Sequence, residues 1–243
     1  MTNTKTNAMP VKAKVMIALV AAASLCPVML GVTSWHVPAW HQLALLMLAA
    51  VLSSRLKVKL PGMTSTMSGN LPVILLGVMQ LGLLGSLLVA ATAAVAQSLA
   101  SANKTKPVQF LFNMCTLMNA CGLAYAAYHS GWFAAHVGGT ALALSAAAGA
   151  YFLANTAPVA GIIGLTEGNS PFALWHKLFL WSFPNYVVGA GLTALASLFS
   201  SAGLMTVAVL MAVLFGVYKS YRLYVANAEQ MQSRPLAMAA AAL

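Results

Sequence analysis

Long apolar runs separated by short polar or basic segments make up most of the chain. A helix needs roughly 20 mostly apolar residues to cross a bilayer. We interpret the following runs as membrane-spanning helices: Val15–Val32, Trp40–Ser54, Val108–Tyr128, Val137–Leu165, Leu178–Ser200 and Leu204–Tyr218. The first run could instead be a cleaved signal peptide, because a basic segment precedes its alanine-rich core. Its length favours a retained helix.

The longest apolar stretch, Met63–Ala100, contains no ionisable side chain. As a single helix it would be about 57 Å long, whereas the hydrocarbon core of a bilayer is only about 30 Å thick. We therefore predict two spans here, with a break between Gln80 and Gly85. The predicted total is eight spans.

The composition agrees with this pattern. Apolar residues make up 61% of the chain and charged residues only 6%, whereas a soluble domain has about 25% charged residues. So few charges cannot cover a water-exposed surface, which excludes an ordinary soluble globule and a disordered chain. The sequence predicts an all-α fold, a polytopic transmembrane helical bundle of about eight spans.

The charge is strongly asymmetric, with 12 Lys and Arg against 2 Asp and Glu, or +10 overall. Basic residues collect in cytoplasmic loops. With eight spans and a cytoplasmic N-terminus, all twelve basic residues fall on the cytoplasmic side. We therefore predict two cytoplasmic termini, with a basic N-terminus at 1–14, a bundle at 15–220 and a C-terminal tail at 221–243. The positive charge then needs no nucleic-acid partner, and the predicted surroundings are the lipid bilayer.

Acidic side chains are almost absent, since Glu167 and Glu229 are the two in the chain. Ion-coupled transporters and proton pumps place ionisable groups at mid-depth in the membrane, and no predicted span has one. Paired carboxylates, a Ser-His-Asp arrangement and a phosphate-binding loop are also missing. We therefore do not expect an enzyme, and the sequence indicates no particular cofactor.

Neutral polar side chains within the spans are the main candidates for a ligand site. They are Asn70, Asn113, Asn119, Asn155, Thr156 and Asn185. A buried amide must find a hydrogen-bond partner, which here is either a neighbouring helix or a polar ligand. Both interpretations stay open at this point.

Four histidines lie in the two loops that the predicted topology places outside: His36, His41, His129 and His136. Tryptophan and tyrosine surround them, as is typical of the membrane interface. The simpler interpretation is therefore an interfacial belt. The alternative is metal binding or pH sensing, because histidine titrates near pH 6.5 and ligates metals.

Several phrases of the sequence resemble a known family. They are Ser54-Arg-Leu-Lys-Val-Lys-Leu-Pro61, Met67-Ser-Gly-Asn-Leu-Pro72, Lys106-Pro-Val-Gln-Phe-Leu-Phe-Asn113 and Tyr151-Phe-Leu-Ala-Asn155-Thr156. Over roughly residues 40–220 the chain resembles the multi-span sensory module that precedes GGDEF or HD-GYP domains in bacterial cyclic-di-GMP signalling proteins. The resemblance implies a multi-pass input domain in the bacterial inner membrane and supplies no catalytic residue. Such modules precede an output domain. We therefore expect either that a separate partner takes that role here or that the protein uses the same scaffold for something else.

Three functional hypotheses follow. The first is a sensory or ligand-binding membrane protein that acts through a cytoplasmic signalling protein. The second is a small-solute transporter or the substrate-binding subunit of one, because neutral amides suit an uncharged solute. The third is a structural accessory subunit of a membrane complex.

Overall fold

A computed structural model describes residues 9–34, 40–59, 66–100, 106–134, 139–198 and 203–241. Most of these residues are helical. The helices are α1 (Val11–Thr33), α2 (Trp40–Arg55), α3 (Leu71–Gln80), α4 (Leu83–Leu99), α5 (Pro107–Tyr128), α6 (Gly131–Ala134), α7 (Gly139–Glu167), α8 (Pro171–Leu174), α9 (Phe183–Leu198) and α10 (Gly203–Ala241).

Two non-α segments interrupt this series. Strands β1 (Lys57–Lys59) and β2 (Thr66–Ser68) pair antiparallel between α2 and α3, with Val58 opposite Met67. A π-helical turn at Trp175–Phe179 and a 3-10 turn at Leu180–Ser182 separate α8 from α9.

Several helices are long and apolar enough to cross a membrane. In the described part of the chain these are α1, α5, α7 and α10, and a fifth span results if the segment from α8 through α9, bent by 56°, crosses as one unit. They indicate a membrane protein. The sequence predicted eight spans, whereas helix length and composition support four or five.

The difference arises at α2, α3 and α4, which have 16, 10 and 17 residues and are too short to count as full crossings. The departure is greatest at α3. The predicted break is confirmed, because α3 ends at Gln80 and α4 begins at Leu83. The predicted helix from Met63 is wrong, because β2 and a turn precede α3, which has only 10 residues. At 1.5 Å per residue α3 is about 15 Å long, half of a hydrocarbon core. Pro72 lies in its first turn, where a missing backbone N–H breaks no helical hydrogen bond.

The last two helices also differ from the predicted spans. The run expected to start at Leu178 begins with the π and 3-10 turns, so that α9 starts at Phe183. The last span was expected to end at Tyr218, but α10 continues without a break to Ala241 and has 39 residues. This helix is about 58 Å long, far more than one crossing requires.

The short helix α3 lies at the centre of the bundle, in contact with α2, α4, α5, α7 and α9. Five of its residues have no exposed surface: Val73, Ile74, Leu75, Leu76 and Val78. A helix that is apolar on every face is buried among others. The surrounding helices expose large apolar side chains on the outer surface, including Leu19, Leu25, Leu48, Leu153 and Val187.

Glycines let the helices approach closely. A Cβ on Gly122 of α5 would lie 2.6 Å from Cβ of Pro27 in α1. A Cβ on Gly189 of α9 would lie 2.7 Å from Cδ2 of Leu71 in α3. Both distances are too short for a Cβ unless the neighbour moves. The proline ring beside Gly122 cannot turn away, whereas the end of the Leu71 side chain beside Gly189 can. Small residues at helix contacts are typical of membrane bundles, where packing drives association.

Candidate functional site

The predicted polar residues do not converge in a single pocket. Asn113 and Asn185 are exposed on the outer faces of α5 and α9. Asn119 is half-buried, and its Nδ2 donates a hydrogen bond to the backbone carbonyl of Val20 in α1 at 3.0 Å. That bond joins α5 to α1. Asn119 therefore has a neighbouring helix as its partner, the first of the two interpretations given for these polar residues. The other three predicted residues, Asn70, Asn155 and Thr156, lie in polar arrangements that connect several elements.

The first arrangement surrounds Asn70, immediately before α3. Ser53 Oγ donates to Asn70 Oδ1 at 2.7 Å, and Asn70 Nδ2 donates to Ser54 Oγ at 3.0 Å. Ser54 Oγ in turn donates to the carbonyl of Ala50 at 2.6 Å. All three side chains are buried. Because its members satisfy one another, this network stabilises the bundle rather than offering free groups to a ligand.

Contacts from two further helices reach the same place, which we call the α3 hub (Ser53, Ser54, and Gly69 through Pro72). Thr193 Oγ1 of α9 lies 3.2 Å from the carbonyl oxygen of Pro72. Leu214 of α10 packs beside Gly69, where a Cβ would lie 3.9 Å from its Cδ2. The α3 hub therefore brings α2, α3, α9 and α10 together.

The second arrangement is the aromatic–amide site (Phe152, Asn155, Thr156, Trp175 and Tyr186). Asn155 Nδ2 of α7 donates to the phenol oxygen of Tyr186 in α9 at 3.1 Å. Trp175 Nε1 donates to Thr156 Oγ1 at 2.9 Å, and Thr156 Oγ1 donates to the carbonyl of Phe152 at 2.7 Å. These bonds join α7 to both the π turn and α9.

Aromatic rings pack around these hydrogen bonds. The Phe152 ring has its centroid 4.9 Å from that of Tyr186, 5.2 Å from that of Phe183 and 5.8 Å from that of Trp175. Ring separations of 4.5–7 Å with tilted planes are favourable. Phe152 is buried, so it forms the centre of this cluster.

Asn155 is the member of the aromatic–amide site best suited to meet a ligand. Its side chain is half-buried, and among the described residues Tyr186 is its one hydrogen-bond partner. The amide carbonyl and the second amide hydrogen can therefore bind a further group. Neutral donors and acceptors beside aromatic faces suit recognition of an uncharged or amphipathic solute.

The sequence named Asn155, Thr156 and Asn185 as site candidates but not Tyr151, Phe152 or Trp175, although Tyr151 and Phe152 stand in a phrase that carries the family resemblance. A local signal was present, because the pairs Tyr151–Asn155 and Phe152–Thr156 are four residues apart and share a helix face. The contact with Trp175 had no such signal, since it depends on the turn geometry after α8.

Two of the four histidines can be placed. His41 is exposed near the start of α2, and His129 is exposed at the end of α5. The His129 ring stacks on Tyr125 with centroids 4.0 Å apart, and its Nδ1 lies 3.0 Å from the Tyr125 carbonyl. His36 and His136 lie outside the described residues. In the part of the chain that can be described, no group of three or more His, Cys, Asp or Glu could hold a metal ion.

Comparison with known proteins identifies no relative. No family model, no curated protein and no solved structure matches the chain. The resemblance to sensory modules therefore depends on the sequence phrases alone.

Proposed function

We propose that this chain is a multi-pass sensory protein of a bacterial inner membrane that binds an uncharged solute and acts through a cytoplasmic partner. The observation that carries the proposal is the unbroken α10. Its first half packs against α2, α9 and β1, and the same helix continues to Ala241. A helix that continues without a break beyond its buried residues Val207, Leu210 and Leu214 can transmit a movement of this packed part to a partner.

The proposed topology has eight crossings and cytoplasmic termini. In this arrangement α3 makes a short crossing that other helices surround, and β1, which carries Lys57 and Lys59, lies at the cytoplasmic surface. The distribution of the twelve basic residues supports it. The N-terminal half of α10 would then cross the membrane, and its continuation would lie in the cytoplasm.

A chain of contacts joins the aromatic–amide site to α10. Tyr186, the partner of Asn155, and Gly189 are one turn apart on α9. Gly189 packs against Leu71 in the α3 hub, and Gly69 of the same hub packs against Leu214 of α10. A solute that competes for the Asn155 amide would change the contact between α7 and α9. We propose that α9 passes this change to α10 through the hub.

Native mass spectrometry of the detergent-purified protein tests solute binding. Asn155→Ala is the test variant, and Asn113→Ala is its matched control because Asn113 is an exposed asparagine on another helix. We expect a co-purified solute that Asn155→Ala loses and Asn113→Ala keeps. A solute retained equally by both variants, or none in the unchanged protein, would contradict binding at Asn155.

Truncation after Tyr224 tests the role of α10. The shortened protein keeps the described packing of α10 on the bundle, so we expect an unchanged melting temperature and unchanged solute binding. We expect loss of the cellular response that deletion of the whole gene abolishes. A truncated protein that supports the full response would refute transmission through α10.

A transporter or its substrate-binding subunit is the second candidate. The interruption at Trp175–Ser182 and the half-length α3 favour it, because discontinuous helices line the substrate sites of many transporters. This function predicts solute uptake that Asn155→Ala abolishes, measured in cells or proteoliposomes. A structural accessory subunit would instead co-purify with a larger complex at fixed stoichiometry.

A further inference from the structure

A shallow groove lies on the outer surface between α2 and α4, away from the aromatic–amide site. Its volume is about 320 Å³, and it is lined by Val51, Arg55, Leu88, Ala91, Thr92, Val95, Ala96 and Leu99. Leu88, Val95 and Leu99 are exposed along one side, with the small residues Ala91 and Ala96 between them. The large exposed side chains therefore form an apolar edge of the groove, and the small residues Ala91 and Ala96 form its floor.

The length of the groove matches one leaflet of a bilayer. Leu88 and Leu99 are eleven residues apart on α4, or about 17 Å at 1.5 Å per residue. Half of a hydrocarbon core is about 15 Å. An extended acyl chain in one leaflet would therefore run along most of the groove.

The charge of the groove is at one end. Among the described lining residues Arg55 alone is charged, and it is the last residue of α2. Ser54 Oγ lies 3.5 Å from the Ala93 carbonyl, so Arg55 is level with the C-terminal part of α4. Arg55 is exposed and forms no ion pair with any described residue. Its guanidinium can therefore bind a phosphate with two parallel hydrogen bonds.

Further positive charge follows Arg55 in the chain, as Lys57 and Lys59. The whole sequence has only two acidic residues and twelve basic ones. One of the two acids, Glu167, accepts a hydrogen bond from Asn169. In the proposed topology the Arg55 end of the groove is therefore a basic site at the membrane surface, where anionic headgroups accumulate.

We propose that the groove between α2 and α4 is a binding site for one anionic phospholipid. An acyl chain lies over Ala91 and Ala96, and the phosphate of the headgroup pairs with Arg55. The apolar floor and Arg55 are both needed, because the floor holds the acyl chain while the guanidinium selects the headgroup.

Native mass spectrometry with added lipids tests the proposal. The protein is mixed with equal amounts of phosphatidylglycerol and phosphatidylcholine that have identical acyl chains, and the ratio of the two bound lipids is measured. We expect the unchanged protein to prefer phosphatidylglycerol. Arg55→Gln should reduce that preference about fivefold, the factor that one basic residue near an anionic surface contributes.

Two further variants separate the site from general attraction by a basic protein. Arg222→Gln removes an equally exposed arginine on α10 that does not line the groove, and it should keep the preference. Ala91→Phe fills the floor and should reduce binding of both lipids. Equal binding of the two lipids by the unchanged protein, or an undiminished preference in Arg55→Gln, would overturn the proposal. So would a dimer that Ala91→Phe dissociates, because a second chain would then occupy the groove.

Discussion

Replacement of Asn70 by alanine should weaken the whole bundle, because Asn70 joins the α3 hub. The substitution removes the bond from Ser53 Oγ at 2.7 Å and the bond to Ser54 Oγ at 3.0 Å. Side-chain hydrogen bonds in membrane proteins contribute about 0.6 kcal/mol each and up to about 1.7 kcal/mol. We expect the free energy of unfolding to fall by about 1 to 3 kcal/mol. Ser54 keeps its bond to the Ala50 carbonyl, so no large additional penalty follows.

Unfolding in mixed micelles with increasing dodecyl sulfate, followed by the helical circular-dichroism signal, measures this loss. A double-mutant cycle of Asn70→Ala with Ser53→Ala isolates their interaction, expected at about 0.6 kcal/mol or more. The control cycle pairs Asn70→Ala with Thr92→Ala, since the Thr92 hydroxyl bonds the Leu88 carbonyl of its own helix. Equal coupling energies in the two cycles would refute the stabilising interaction between Asn70 and Ser53 in the α3 hub.

Two further substitutions test the packing and the aromatic–amide site in the same unfolding assay. Gly122→Ala places a Cβ 2.6 Å from Cβ of Pro27 and should cost about 1–3 kcal/mol, whereas Gly191→Ala meets no atom within 4 Å and should leave stability unchanged or slightly raised. Equal effects of the two would contradict the close approach of α1 and α5. Thr156→Val leaves the indole N–H of Trp175 without its acceptor and should cost about 1 kcal/mol, while Thr156→Ser keeps the hydroxyl and most of that stability. A serine variant as unstable as the valine variant would count against the hydrogen bond.

The sequence located several helices closely. The run Trp40–Ser54 became α2, Trp40–Arg55, and the run Val108–Tyr128 became α5, Pro107–Tyr128. Their ends carry local signals, since basic residues and a proline stop or start an apolar run. The end of a helix can be predicted from the sequence where neighbouring residues encode it.

The start of α3 has a local signal, Asn70 at the cap position and Pro72 in the first turn, but the prediction began the helix at Met63 because the apolar run extends that far. Val73–Val78 are as apolar as any lipid-facing segment, and only the pairing of β1 with β2 removes residues 66–68 from the helix. That pairing joins residues seven to eleven positions apart, so it depends on the folded chain. An apolar run alone therefore could not distinguish a short buried helix from a full crossing.

The asparagines show most clearly the difference between what the sequence predicts and what depends on the tertiary structure. The sequence placed Asn113, Asn155 and Asn185 within predicted spans, but it could not show which way each side chain faces. In a soluble protein the polar face of a helix is the outer face, whereas in a membrane both lipid and neighbouring helices are apolar. Composition and charge therefore determined that this chain is helical and membrane-embedded. Only the tertiary structure decided that Asn70 and Asn155 face other helices while Asn113 and Asn185 face outward.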